Sequence, residues 1–156
     1  MNNFDKSILT PIAAKTVQFL KDEMQLSIDE NYAVDIEQTI TPFICSTVIG
    51  VGGAINFLFF MSYEDSVLSE LVKKFAYGEI GEGEIEELKE ATALEIANTV
   101  IGHAIVDMPN GGKGITITPP ILMDNCSIIS KTKKSSLIKF DIKTDYGIIM
   151  LAVIFK

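Results

Sequence analysis

Two side chains with chemical potential, Glu95 and Asn98, stand three positions apart in a segment whose periodicity predicts a helix over 84–106. At about 100° per residue, both fall on one stripe of that helix as adjacent neighbours. A carboxylate can pair with a cation, and an amide can accept a hydrogen bond from water while donating elsewhere without carrying charge. An ordinary solvated helix face also carries such residues, so the spacing alone leaves both interpretations open.

The neighbours of this pair favour contact with a partner. Leu88, Ala91 and Gly102 fall on the same stripe, and the last two are so small that another surface could approach the helix closely. A partner-docking surface formed by these three residues is therefore one interpretation, and an ordinary solvated helix face is the other. The opposite side of the helix is a smooth apolar seam that we expect to pack on a sheet, formed by Ala93, Ala97, Val100 and Ala104.

Other catalytic or ligand-binding arrangements are missing. His103 is the one histidine, which excludes histidine-rich metal sites, and we expect it to have a packing or surface role. The glycine runs at 50–53 and 111–114 precede strands and lack a Gly-Lys-Ser/Thr sequence, so we interpret them as turns. Cys45 and Cys126 lack metal-ligand spacing, and we expect both to be buried and reduced. The sequence predicts no bound metal or cofactor.

Composition predicts one globular domain over residues 1–156. Apolar residues make up 47% of the chain and charged residues 22%. The net charge of −8 argues against nucleic-acid binding, and the basic cluster within 131–134 is interpreted as a solvated loop. The N-terminal sequence has no secretory pattern, and the apolar stretch 55–61 is too short to span a bilayer. We therefore expect a cytoplasmic protein without membrane association.

The order of elements predicts an α+β fold, with a largely antiparallel β-sheet packed with long helices. We expect Pro11 in the first turn of the first helix, a half-buried strand from Tyr32 to Ile40, and a tight turn or bulge at Gly52-Gly53. Pro119-Pro120 interrupts a strand, which indicates an edge or a crossover between sheets. The predicted helices are 8–25, 64–77 and 84–106, and the predicted strands are 32–40, 43–51, 54–61, 115–118, 121–129, 136–143 and 146–155. The strand 54–61 is apolar on both faces, so we expect it to be central and covered on both sides.

A family resemblance gives the candidate pair a more specific meaning. The segment 94–102, followed by Ile117-Thr118-Pro119-Pro120, resembles the signature of the CheC, CheX and FliY phosphatases: a Glu, an Asn three residues later, and a Pro a little over twenty residues beyond. Here the two prolines fall 21 and 22 positions after Asn98. The stretch 47–55 is similar to the strand-turn-strand that lies upstream in this family.

Among these proteins, CheX is the most similar. CheC-like proteins carry a second Glu-x-x-Asn centre on the first helix, and the first helix here has none, so one centre is expected. The family often has Asp or Ser four residues before the Glu, where this chain has Ala91. The resemblance also implies a homodimer, in which strands near the proline region contribute to subunit pairing.

The resemblance implies a phosphatase that removes phosphate from the aspartyl phosphate of a phosphorylated CheY-like response regulator. Asn98 would orient the attacking water, and Glu95 would dock on the regulator's active-site lysine. Mg²⁺ would be supplied in the regulator's own site. The alternatives are a non-catalytic CheX-like module that binds a receiver or another signalling protein, and an adaptor subunit related to flagellar switch proteins.

Overall fold

The computed structural model describes residues 1–31, 33–129 and 137–156, so Tyr32 and the lysines within 131–134 lie outside the described residues. Within these ranges three α-helices lie on one side of a mainly antiparallel sheet. The helices are α1 (Asn3–Gln18), α2 (Asp65–Phe75) and α3 (Glu82–Ile105). The strands are β1 (Ile28–Asp29), β2 (Val34–Glu37), β3 (Thr39–Ile40), β4 (Cys45–Gly53), β5 (Phe57–Tyr63), β6 (Ile115–Ile117), β7 (Ile121–Met123), β8 (Ile128–Ile129), β9 (Leu137–Thr144) and β10 (Gly147–Phe155).

The sheet follows the order β1-β9-β10-β5-β4-β6, and every strand pair described in it is antiparallel. The strand β5 lies at its centre, with Phe59 opposite Ile49 of β4 and Val153 of β10. This central position was predicted from its apolar residues, because a strand covered on both faces carries apolar side chains at successive positions. The α+β fold with a largely antiparallel sheet is confirmed.

Each face of the sheet supports its own apolar core. Phe57, Phe59 and Met61 point to the helical side and are at most 1% exposed. Phe60 points to the other side, where a smaller core forms with Leu137 and with residues of the two-stranded sheet β3–β8. Because successive strand residues alternate between faces, one run of sequence supplies both cores.

The first helix begins earlier than its apolar pattern indicates. The side chain of Asn2 accepts a hydrogen bond from the Asp5 amide at 2.7 Å and caps the helix, which satisfies one of the free N–H groups at its start. Pro11 therefore lies inside α1 and not in its first turn, so that expectation was wrong. Its ring is buried, and this burial offsets the hydrogen bond that a proline cannot donate. A π-helical turn, Phe19–Glu23, ends the segment.

The proline pair lies at the edge of the sheet, as predicted. Both β6 and β7 pair with β4, and residues 118–120 connect them. Between β6 and β7, Thr118 continues the hydrogen bonding to β4. Its amide donates to the Gly50 carbonyl at 2.8 Å, and its hydroxyl accepts from the Gly50 amide at 2.8 Å. Prolines fit at this edge because only one side of the strand needs ladder hydrogen bonds.

Two expectations for the strands were wrong. The segment 33–40 is not one half-buried strand, because β2 pairs only with β9 and all four of its residues are exposed. The predicted strand 121–129 is divided into β7 and β8 at Asn125, whose φ of 49° cannot continue a strand. Gly52 and Gly53 end β4 and the tight connection follows at 54–56, where the Ala54 amide donates to the Gly114 carbonyl at 3.0 Å.

The ends of α3 are fixed by local hydrogen bonds and close backbone packing. At the start, the Gly81 amide donates to the carboxylate of Glu84 at 3.3 Å. At the end, the chain turns back sharply through a 3₁₀ turn, Pro109–Gly112. A Cβ at Gly112, whose φ is +73°, would lie 2.5 Å from the Ile105 carbonyl oxygen, so this return requires glycine.

Candidate functional site

The outward face of α3 carries both candidate residues. Glu95 and Asn98 are exposed, three positions apart on one face, as the helical period predicted. Within the described parts of the chain, neither side chain has a hydrogen-bond or ion-pair partner. Both are therefore free to contact a group supplied from outside the molecule.

The flanking residues leave the surface around the pair open. Leu88 is 40% exposed, and Ala91 and Gly102 are exposed as well. A Cβ added at Gly102 would meet nothing within 4 Å, so the fold does not require glycine there. A glycine inside a helix costs roughly 1 kcal/mol relative to alanine. The helix surface therefore has a gap at Gly102, where no side chain projects, although an alanine there would make the helix more stable. We call this gap the notch.

The opposite face of α3 packs against the sheet, as predicted. Ala93, Ala97, Val100 and Ala104 are all 0% exposed and belong to the main core. Small side chains let the helix backbone lie close to β4, and this close packing restricts movement of the helix. The candidate pair is thus presented on a rigid element.

A tyrosine connects the central strand to this helix. The hydroxyl of Tyr63, which is 1% exposed, donates to the Ala93 carbonyl at 3.4 Å, two residues before Glu95 and five before Asn98. Burial raises the pKa of the Tyr63 hydroxyl well above its usual value, so the group remains a neutral donor. Sequence reasoning missed this contact, because no local pattern pairs a strand residue with a helix thirty positions later.

A buried lysine joins α2 to α3. The Lys89 ammonium lies 2.7 Å from the carboxylate of Asp65 at the start of α2, and it also contacts Glu86. Burial lowers the pKa of Lys89, but the hydrogen bonds to the two carboxylates outweigh that effect and leave the pKa raised. The sequence carried a signal for this contact, since Lys89 falls in helical phase with the buried Ile85, Thr92 and Ile96.

Next to this lysine is a cavity of about 210 Å³, bordered by Cys45. Burial, with help from the carboxylate of Glu90, raises the pKa of the Cys45 thiol, so it is a poor nucleophile at neutral pH. Cys45 and Cys126 are both free, but each is half-buried, so full burial was wrong. Cys126 lies in the loop after β7, where a short connection cannot enclose it.

The remaining candidates do not form a second site. His103 is exposed on the flank of α3, which fits the expected surface role. Among the described residues, no group of three or more His, Cys, Asp or Glu side chains is arranged to hold a metal ion. No helix in the described part of the chain is long and apolar enough to span a bilayer.

A family model described as "Chemotaxis phosphatase CheX" matches residues 45–143, a range that contains Glu95, Asn98 and both prolines of the edge. The chain belongs to the CheX family. The resemblance noted in the sequence is thereby confirmed for the family, and the CheX match covers the whole of α3 and strands on both sides of the central β5. A comparison with curated proteins found no significant match.

Solved structures with the same fold include CheX- and CheC-like proteins. A chemotaxis protein CheX from Desulfovibrio desulfuricans has a TM-score of 0.78 at 19% identity, covering 96% of this chain and 99% of its own. A CheC-like superfamily protein from Shewanella sp. PV-4 has a TM-score of 0.78 at 20% identity, covering 100% and 99%. A CheX–CheY–BeF₃–Mg²⁺ complex from Borrelia burgdorferi has a TM-score of 0.69 at 18% identity, covering 96% and 98%.

Proposed function

We propose that this CheX-family protein is a phosphatase that hydrolyses the aspartyl phosphate of a phosphorylated CheY-like response regulator. The observation that carries the proposal is the exposed pair Glu95 and Asn98 on the outward face of α3, without an intramolecular partner among the described residues. The pair lies inside the segment that matches the CheX family. An unengaged amide and carboxylate on a rigid helix suit a site that is completed by a partner protein.

In this proposal Asn98 enters the regulator's active site and its amide orients a water molecule opposite the aspartyl oxygen. The water oxygen forms a bond to phosphorus as the bond between phosphorus and the aspartyl oxygen breaks, which yields inorganic phosphate and a free aspartate. An amide suits this role because it binds water without adding negative charge beside the phosphoryl oxygens. Its contribution to rate is mainly positioning, which can be worth several kcal/mol.

Glu95 has a docking role in this proposal. Its carboxylate pairs with the active-site lysine of the regulator and fixes the register of α3 on the partner. In this proposal Mg²⁺ is supplied in the regulator's own site. The solved Borrelia complex, which contains CheX, CheY and Mg²⁺, supports this choice of partner by its similar fold.

The test is phosphate release from phosphorylated receivers of the same cell, with Mg²⁺ present. The parent protein should accelerate release, and Asn98→Ala should abolish most of that acceleration while binding to the receiver stays nearly unchanged. The reason is that the amide acts chiefly in the transition state. Because Asn98 is exposed, the variant should have nearly the same Tm as the parent protein. A folded Asn98→Ala protein that works as fast as the parent would refute the proposal.

The second candidate function is a receiver-binding module without turnover. Ala91, which replaces the Asp or Ser frequent in the family, favours this alternative because it removes a polar group one turn before Glu95. A parent protein that binds a phosphorylated receiver but leaves its rate of phosphate loss unchanged would establish this function. The single domain over 1–156 and the cytoplasmic location stay predictions in either case.

A further inference from the structure

We propose that Val106 is a docking residue, which forms an apolar contact with the phosphorylated regulator at the C-terminal end of α3. This inference rests on the proposed function and extends the docking surface beyond Leu88, Ala91 and Gly102. Val106 is 61% exposed and comes directly after the last residue of α3.

The position of Val106 follows from the helical phase. Its φ of −66° and ψ of −22° continue the helix, so its side chain lies one turn beyond Gly102 on the Glu95/Asn98 stripe. Because Gly102 has no side chain, the notch there is bordered by Asn98 on one side and Val106 on the other. A surface that enters the notch to reach Asn98 therefore meets Val106.

The exposed apolar residues of this helix are not scattered. On α3 and its C-terminal cap, all of which is described, Leu88 and Val106 are the two large exposed hydrophobic side chains. Both lie on the outward stripe, nine residues to either side of Ala97. At 1.5 Å per residue they are about 27 Å apart. A standard interface buries about 800 Å² per partner, and the width of such a patch is similar to this separation. One docked protein would therefore cover both Leu88 and Val106.

Charge makes the two ends of this surface different. The exposed carboxylates of α3 lie between Glu82 and Glu95, and its one lysine, Lys89, is buried against Asp65 and Glu86. From Thr99 to Val106 the helix carries no acidic or basic side chain other than His103, and the exposed carboxylate of Asp107 that follows is paired with Lys15. The occupant must therefore present cationic groups toward the N-terminal half and an apolar group toward Val106. This asymmetry fixes one orientation of a docked regulator.

The backbone around Val106 is already held in place before any partner binds. The following residue, Asp107, forms an ion pair with Lys15 of α1 at 3.1 Å, and Met108 is 3% exposed in the core. The Asp107 amide also donates to the Ala104 carbonyl at 3.1 Å. A contact on such a fixed segment loses little conformational freedom on binding.

The experiment measures binding of a beryllofluoride-activated receiver with Mg²⁺, and phosphate release from the phosphorylated form. Val106→Ser should raise both Kd and KM about fivefold and leave kcat within about twofold, since the side chain contacts the partner and not the phosphate. Val106→Ile should bind like the parent, because it keeps the apolar contact. The matched control, Val34→Ser on the distant strand β2, where Val34 is 42% exposed, should change neither constant.

The outcomes separate this inference from the proposed function. If Val106→Ser binds and works like the parent while Asn98→Ala is inactive, the inference is overturned and the phosphatase function stands. If the parent neither binds nor dephosphorylates any receiver of its cell, the proposed function fails and the inference fails with it. Val106→Ala, which is a better helix former than serine, replaces Val106→Ser if the serine variant melts at a lower temperature.

Discussion

At the scale of single residues, Glu95 and Asn98 are expected to act at different moments of one reaction. The lysine proposed to meet Glu95 is present before the reaction, whereas the water oriented by Asn98 matters most in the transition state. Both side chains project from the same rigid face of α3, so replacing one should not displace the other. Their contributions to docking and turnover can therefore be separated.

Glu95→Ala should weaken receiver binding roughly tenfold and lower turnover with it, because a charge pair of the docked complex is lost. Glu95→Lys should be worse, since it places like charges face to face. Calorimetric titration with an activated receiver measures the affinity. Glu37→Lys, at an exposed position of β2, makes the same change of charge away from α3 and is the control. Equal affinities of the Glu95→Lys variant and the parent would contradict the docking role.

Gly102→Ala should stabilise the protein and impair its interaction with the regulator. The new methyl group would meet nothing within 4 Å, so the gain in helix propensity of about 1 kcal/mol should appear as a higher Tm. The same methyl group would partly fill the notch between Asn98 and Val106 and keep a docked partner farther away. Thermal unfolding and receiver titration measure the two effects, and a variant with a raised Tm and unchanged affinity would show that the notch has no function.

At the scale of elements, α3 is fixed by an apolar seam on the sheet side and by Lys89 on the α2 side. The Lys89 ammonium is shielded by two carboxylates, Asp65 and Glu86, that are themselves mostly exposed. Removing the lysine therefore leaves charges that water can solvate, whereas removing both carboxylates would leave a buried ammonium without a partner. The loss of stability therefore depends on whether the lysine or the two carboxylates are removed.

Lys89→Met should lower the free energy of unfolding by about 1 kcal/mol at neutral pH. Since the folded-state pKa of Lys89 is raised above 10.5, its contribution is complete below that pH and is lost as the pH rises through the folded-state pKa. The parent and the variant should therefore converge in stability at strongly alkaline pH. Urea denaturation at pH 7 and above pH 11 tests this. The raised pKa of Tyr63 affects both proteins alike and cancels in the difference between their stabilities.

At the scale of the whole molecule, the sheet has an apolar edge that faces solvent. The short strands β6 and β7 lie along β4, and Ile121 on β7 is 61% exposed. A strand edge with unpaired backbone groups is prone to pair with another chain. The homodimer implied by the family resemblance, with pairing near the proline region, would cover this edge.

Light scattering at a concentration on the order of tens of micromolar should therefore give the mass of a dimer. Ile121→Lys should shift the protein toward monomer, because a charge at the centre of an apolar interface must be desolvated. Ile36→Lys is a closely matched control, since Ile36 has the same 61% exposure on β2 at the other side of the sheet. A parent protein that scatters only as a monomer would refute the dimer.

The sequence by itself determined the features that depend on short-range order. The 3.6-residue period of α3 was enough to place Glu95, Asn98 and Gly102 on the solvent side and Ala97 on the sheet side. The apolar run of β5 was enough to place it at the centre of the sheet. These predictions succeed because the regular backbone of a helix or strand fixes the direction of each side chain relative to its neighbours in the sequence.

The tertiary structure alone decided the features in which distant segments meet. Lys89 is buried because Asp65 at the start of α2 reaches it, and Pro11 lies within α1 because its burial compensates for its missing hydrogen bond. The strand β2 alternates in sequence but is exposed, because it pairs with β9 and all four of its side chains remain accessible to solvent. Such outcomes depend on which elements pack together, and contacts across long separations of sequence leave no periodic pattern in the chain.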